Sequence, residues 1–220
     1  MTYKDYDDSK KWLSVDRKIN VDISYKCALR CPSCIRQSYY KKNNIPIPGK
    51  DISLREFKCI LDYFKNIQLM GEVSDPTHHP DFYSILKLCV DNGAKTSIHV
   101  ASTFRKDINW WIDLFNLTAG KDIEWVFGID GLPKDSHKYR VNQDGEFLYK
   151  VMCKGSSLGA NCTWQYIIFN YNEDDISACK KLAYARGIKF LLVKSNRWHQ
   201  SKESKALQPK NPDNYIVRKR

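Results

Sequence analysis

Ile19-Asn-Val-Asp-Ile-Ser24-Tyr-Lys-Cys27-Ala-Leu-Arg-Cys31-Pro-Ser-Cys34 carries two patterns in one short stretch. The apolar–polar alternation over 19–24 predicts a strand, and the C-x3-C-x2-C run after it predicts a metal-binding loop at the strand's end. Iron–sulfur clusters are held by cysteine thiolates, usually four of them. The run supplies three and stops, so a four-iron cluster seated in it keeps one iron free of protein and open to a substrate or cofactor. A zinc half-site is one alternative, but no C-x2-C or H-x3-H partner follows to close a tetrahedron. Three unrelated buried thiols are another.

Downstream the pattern is regular. Lys41 to Lys50 is a turn-rich linker. Ser53-Leu-Arg-Glu56 reads as a capping box opening a helix to about Lys65, with Leu54, Phe57, Ile60, Leu61 and Phe64 on its apolar face. A short buried strand at 67–70 precedes a helix from Asp81 to Val90, stopped by Asn92-Gly93. A strand at 96–101, a helix at 106–117 and a strand at 123–129 follow. After a polar loop to about Asp144 come a helix at 146–154, a strand at 162–169, a helix capped by 172–175 and closed at Gly187, and a strand at 188–193. No clear helix remains beyond it. Strands alternating with helices predict βαβ units, an α/β fold and a parallel sheet. In barrels of parallel strands the chemistry sits at the C-terminal strand ends.

The cysteine spacing followed by these strand ends resembles the radical S-adenosylmethionine (SAM) superfamily. The resemblance implies a partial (β/α)6 TIM-like barrel over 19–197, after an N-terminal extension (1–18) and before a basic, extended tail (198–220). It implies that Cys27, Cys31 and Cys34 hold a [4Fe-4S] cluster whose fourth iron is chelated by the amino and carboxylate groups of SAM. The implied reaction is one-electron cleavage of SAM to methionine and a 5'-deoxyadenosyl radical, which abstracts hydrogen from substrate. The electron would come from an external donor of flavodoxin or ferredoxin type. The family's Gly-Gly-Glu-Pro-like motif, counted back from His79-Pro80, falls on Val73-Ser74-Asp75-Pro76. Ser74 and Asp75 are therefore candidates for the SAM ammonium, the other reading being a capped turn with Asp81 as N-cap. Ser102 and Thr103, at the end of the third strand, stand near SAM or cap a helix. Gly128-Ile-Asp130-Gly131 and Asp135-Ser-His137-Lys-Tyr-Arg140 resemble the peptide-modifying branch that often carries SPASM or twitch extensions. There Asp130 would meet the SAM ribose or carboxylate. Arg140 would pair with an anionic group or form a structural ion pair. Ser33 stands where relatives often have an aromatic near the adenine, which leaves that contact to backbone or to Tyr39. Strand six ends in Lys194-Ser-Asn-Arg197, a basic mouth. No cysteine follows Cys179, so the chain reads as a minimal core or as one relying on a partner for its substrate cover.

Composition narrows the classes. With 220 residues, 42% of them hydrophobic, and a mean hydropathy of −0.55, the chain suits one soluble domain with a sizeable core. No run approaches the roughly 18 apolar residues of a membrane span. The polar start, Met1 to Asp8, is not a signal peptide, and eight cysteines without one suit reduced thiols in a cytoplasm. Cys59, Cys89 and Cys179 read as core thiols, leaving Cys153 and Cys162 as the remaining conceivable ligands. A net charge of +11 marks an anionic partner or a solvated surface. No aromatic–basic interleaving supports a nucleic-acid module. Three readings follow: a radical SAM enzyme acting on a peptide or protein side chain, one acting on a nucleotide or RNA, and a non-catalytic iron–sulfur or SAM-binding module.

Overall fold

Strands that bury one face under helices must be apolar on alternate residues, and their order in a parallel sheet is set by the crossovers between them. The computed structural model describes residues 17–195, 198 and 202–215. The six strands are β1 (Lys18–Asn20), β2 (Asn66–Leu69), β3 (Lys95–Val100), β4 (Ile123–Gly128), β5 (Asn161–Ile167) and β6 (Lys189–Val193). They pair in chain order, each parallel to the next. β1 and β6 are the two edges, so the sheet is an unclosed barrel, as the resemblance implies.

Five helices cover the outer face: α1 (Leu54–Tyr63), α2 (Phe82–Asp91), α3 (Ile108–Thr118), α4 (Gly145–Ser157) and α5 (Ile176–Tyr184). The core lies between them and the sheet, where Ile67, Leu69, Ile98, Trp125, Phe127 and Trp164 meet Phe57, Leu61, Phe82 and Phe115. Trp125 is its centre, edge-on to Phe115 at 5.3 Å and to Trp111 at 6.1 Å, with its indole N–H donating to Thr118 Oγ1 at 3.0 Å. The capping box at Ser53 and Glu56 is present with both reciprocal bonds. Among the described residues no helix is long and apolar enough to cross a membrane.

Several boundaries differ from the sequence reading, each for a local reason. β1 is shorter than 19–24 because its partner β2 ends at Leu69; beyond the strand only Val21 N–H still reaches Gln68 O. β5 stops at Ile167, since Phe169 N–H turns to Asn172 Oδ1 instead of a neighbouring strand. That use of Asn172 delays α5 to Ile176. Asp107 and Asp144 cap their helices through their side chains, whereas Asp81 and Asp175 make no such bond. Cys59 is exposed rather than a core thiol, while Cys89 and Cys179 are buried.

The largest departure is the tail. Instead of remaining extended, it folds back: α6 (Lys202–Ala206) and a 3-10 turn, Pro212–Asn214, lie along the barrel's end. Asn170 ties the strap down, its N–H donating to Leu207 O at 3.0 Å and its side-chain amide to Ala206 O at 2.7 Å. Glu173 accepts from Lys210 N, Asn211 N and Asn214 Nδ2. Residues 1–16 of the N-terminal extension, and Asn196 and Arg197 of the basic mouth, lie outside the described residues.

Candidate active site

The cysteine run leaves β1 at the C-terminal end of the sheet and turns into a π-helix, Arg36–Lys41. Cys34 N–H donates to Cys31 O at 3.0 Å, closing the turn between them. All three thiols are free and partly buried. Leu29 N–H points at Cys27 Sγ, 3.4 Å away, a backbone donor of the kind that tunes thiolate-held clusters. Burial pushes Cys27 up to about 12, with the Asp75 charge adding to it. Burial likewise pushes Cys31 up to about 11, against the opposing pull of Arg140. Arg30 N–H donates to Val141 O at 3.0 Å, which holds the segment just after Arg140 against this loop. Among the described residues no three His, Cys, Asp or Glu side chains converge as a single ion would require. In a four-iron cluster each thiolate holds a different iron, so the donor set fits a cluster better than one zinc.

The segment after β2 packs directly on this loop. Arg36 Nη1 donates to Tyr25 O and to Val73 O, both at 2.7 Å, and Asp75 N–H donates to Lys26 O at 3.0 Å. Ser74 donates its hydroxyl to Asp22 Oδ1 at 2.8 Å, which leaves its oxygen lone pairs free to accept. Gly71, at φ +68°, is needed here: a Cβ would stand 2.3 Å from Ser74 O.

Asp75 is buried and behaves differently from the expectation of a ligand contact. One carboxylate oxygen accepts from Thr77 N (3.0 Å) and Thr77 Oγ1 (2.5 Å), the other from Ala101 N (2.8 Å) and Ser102 N (2.7 Å). All its acceptor sites are thus used inside the protein, and its effect is to tie the end of β2 to the end of β3. Ser102 is fully buried too, its hydroxyl accepting from Phe104 N and sharing a hydrogen with His78 Nε2 at 2.9 Å. The His78 ring stacks on Phe104 at 4.4 Å. His79 turns the other way, to Ile52 O, so the two rings diverge.

The end of β4 carries a buried ion pair. Asp130 Oδ2 accepts from Arg140 Nε at 2.7 Å, and Oδ1 from Ile167 N at 2.7 Å. Burial raises the Asp130 carboxyl while Arg140 pulls it back. Burial also works against the guanidinium, but Asp130 beside it keeps it charged. Asp130, completely buried, does not face the mouth; it holds Arg140 there. Gly128 makes room, since a Cβ on it would lie 2.6 Å from Arg140 Nη2. The structure therefore brings Cys27, Cys31, Cys34, Ser74 and Arg140 to one mouth and sets Asp75, Ser102 and Asp130 behind them.

Asp22, Arg36 and Gln143 join the site without having been singled out from the sequence. Gln143 Nε2 donates to Ala101 O at 2.6 Å and Gly128 O at 2.9 Å, bridging the ends of β3 and β4. Nothing in their local sequence marks them; only the strand ends they join would have. Ser33 is buried and paired with Ser204 Oγ at 2.6 Å, whereas Tyr39 is half-exposed. Cys153 and Cys162 belong to the core on the helix side, not to the mouth.

No protein-family model and no curated protein matches this sequence. Solved structures do. The chain matches Streptococcus suis SuiB bound to S-adenosylmethionine with a TM-score of 0.70 at 16% identity, over 94% of this chain and 47% of that one. It matches SuiB bound to the precursor peptide SuiA at 0.67 and 17% identity, over 94% and 45%. Methylornithine synthase (PylB) matches at 0.57 and 12%, over 80% and 52%. The chain spans about half the length of these proteins. The fold of this chain is the partial, unclosed parallel barrel that these solved structures share.

Proposed function

We propose that the protein is a radical SAM enzyme acting on a peptide or protein side chain. The observation that carries this is the position of three free cysteines on one loop at the C-terminal mouth of an open parallel barrel. The similarity to SuiB with a precursor peptide bound supports the peptide substrate. Cys27, Cys31 and Cys34 would hold a [4Fe-4S] cluster. When bound and reduced by an external flavodoxin- or ferredoxin-type donor, such a cluster would supply the one-electron reductive cleavage of SAM.

The chain's own residues then have distinct tasks. Ser74, its hydroxyl hydrogen committed to Asp22, offers lone pairs to the SAM ammonium. Arg140, gripped through Nε, keeps its two terminal nitrogens for a carboxylate. Asp75, Ser102 and Asp130 act as positioning residues for these two. Leu29 N–H and the nearby guanidiniums of Arg36 and Arg140 offset the negative charge of the thiolate-bound cluster.

Anaerobic loading with iron and sulfide, dithionite reduction and chromatography for 5'-deoxyadenosine from added SAM tests this. Product from the wild type and none from Cys27→Ala is the expected result. A loaded, reducible cluster that never cleaves SAM would favour a binding module, and failure to load any cluster would end the radical reading.

A further inference from the structure

A second, smaller apolar core lies against the cysteine loop, apart from the one between sheet and helices. Tyr139, Phe169 and Trp198 are its buried members, and Cys31, Leu207 and Tyr215 pack against it. The rings form a chain, Tyr139 on Phe169 at 4.2 Å and Phe169 edge-on to Trp198 at 5.1 Å. Tyr139 comes from the loop after β4 and Phe169 from the end of β5, whereas Trp198, Leu207 and Tyr215 all lie beyond β6. Of the three cysteines in the loop, Cys31 alone packs on these rings.

Polar contacts fix the same segment. The Trp198 indole N–H donates to Ser195 O at 3.1 Å, and Ser195 bridges to Tyr215 as a parallel pair. The strap is thereby closed on itself at both ends, with Trp198 and Leu207 in the small core. On the loop's side Ser33, between Cys31 and Cys34, shares a hydrogen with Ser204 Oγ at 2.6 Å, and both side chains are buried. Two small hydroxyl side chains let α6 come close to the loop, where a ring at position 33 would hold it off. Cys27 is surrounded differently: Leu29 N–H lies 3.4 Å from its sulfur, and the Asp75 charge acts on it. An iron–sulfur cluster becomes more negative when reduced, and water stabilises that added charge. Solvent exposure is accordingly one of the levers on its potential, and an apolar wall withholds it.

We infer that Trp198 and the strap are the wall of the proposed cluster on its Cys31 side. Trp198, acting through Phe169 and Tyr139, is a positioning residue, and the Ser33–Ser204 contact docks the strap. Together they keep water and oxidants off that edge and hold the cluster's reduction potential low. One-electron cleavage of a carbon–sulfur bond calls for a strong reductant, so a dry edge serves the proposed reaction. The inference rests on the proposed function for the cluster; the shielding of the Cys31 thiol does not need it.

Two measurements on the full chain test it. Without iron, alkylation of each thiol by iodoacetamide is followed by mass spectrometry at one fixed pH, with the exposed Cys59 as internal reference. Trp198→Ala is expected to speed alkylation of Cys31 about tenfold against Cys59 and to leave Cys27 unchanged. Trp198→Phe, which keeps a ring there, should stay near the wild-type rate. Glu173→Gln, which releases the strap from outside this core, should raise the Cys31 rate about fivefold. Cys31 unmoved in both Trp198→Ala and Glu173→Gln, or Cys27 speeding as much as Cys31, would overturn the inference. On the anaerobically loaded chain, a redox titration should find the cluster's midpoint potential higher in Trp198→Ala and restored in Trp198→Phe. An unchanged or lower value in Trp198→Ala would overturn it as well. A shielded Cys31 in a chain that never loads a cluster would keep the wall and remove the radical reading. A loaded, SAM-cleaving chain whose Cys31 reacts equally with and without Trp198 would do the reverse.

Discussion

Four donors meet at the Asp75 carboxylate, three of them backbone N–H groups, and Asp130 is gripped by Ile167 N–H and the Arg140 guanidinium, so both acids are spent inside the protein. Their position at the strand ends is legible in the sequence, but their function as ties is not. Whether an acid at a strand end faces a ligand or a backbone N–H depends on burial by segments far along the chain. The place of the cysteine loop at a strand end is legible because the apolar–polar alternation just before it marks the strand. His99 gives a prediction at this scale. Burial puts its folded value at about 4, below the unfolded value near 6.5, so the unfolded chain binds the extra proton between them. Stability should be intact above pH 6.5 and fall as pH drops towards 4, by about 2 kcal/mol once the ring's partial exposure is discounted. Urea unfolding at a series of pH values, wild type against His99→Gln, measures it; an unchanged slope in the variant would assign the loss elsewhere.

Elements follow the sequence wherever their causes are local. The Ser53–Glu56 capping box, the Asn92-Gly93 stop and the six strands are all written within a few residues of where they act. The strap over 202–215 is not, because its charge-rich composition is that of an extended tail and its partners are Asn170, Glu173 and Ser33. Glu173 is the strap's clamp. Slight burial works the other way, but the N–H donors of Lys210 and Asn211 and the amide of Asn214 hold its carboxyl below the usual range. The clamp should therefore hold above about pH 4.5 and weaken as the pH falls further. Glu173→Gln should loosen the strap by about 1 kcal/mol. Faster amide exchange at Asn170 and Lys210, with the β3 and β4 amides unchanged, is the expected signature. Equal protection in variant and wild type would remove the clamp role.

At the scale of the molecule, the described residues form a sheet with two margins, β1 and β6. Its βαβ alternation made the parallel order readable, but alternation does not say whether β1 and β6 meet. They do not, and β6 leaves Leu191 45% and Leu192 41% exposed. An apolar edge strand is a template for association. Replacing both leucines by lysine should lower concentration-dependent light scattering while changing stability by less than about 1 kcal/mol. Scattering that is unaffected would place the association elsewhere.

The Ser33–Ser204 contact joins residues 171 positions apart, one in the cysteine loop and one in the strap. At about 5–20 residues per second, the ribosome makes the second some 9–35 s after the first. For that interval the loop exists without its outer wall. Iron and sulfide arriving during synthesis would find the thiols accessible, and the same metals arriving later would have to displace a docked strap. The architecture thus makes assembly a matter of timing, with a later-made segment closing over a loop that an earlier-made segment holds.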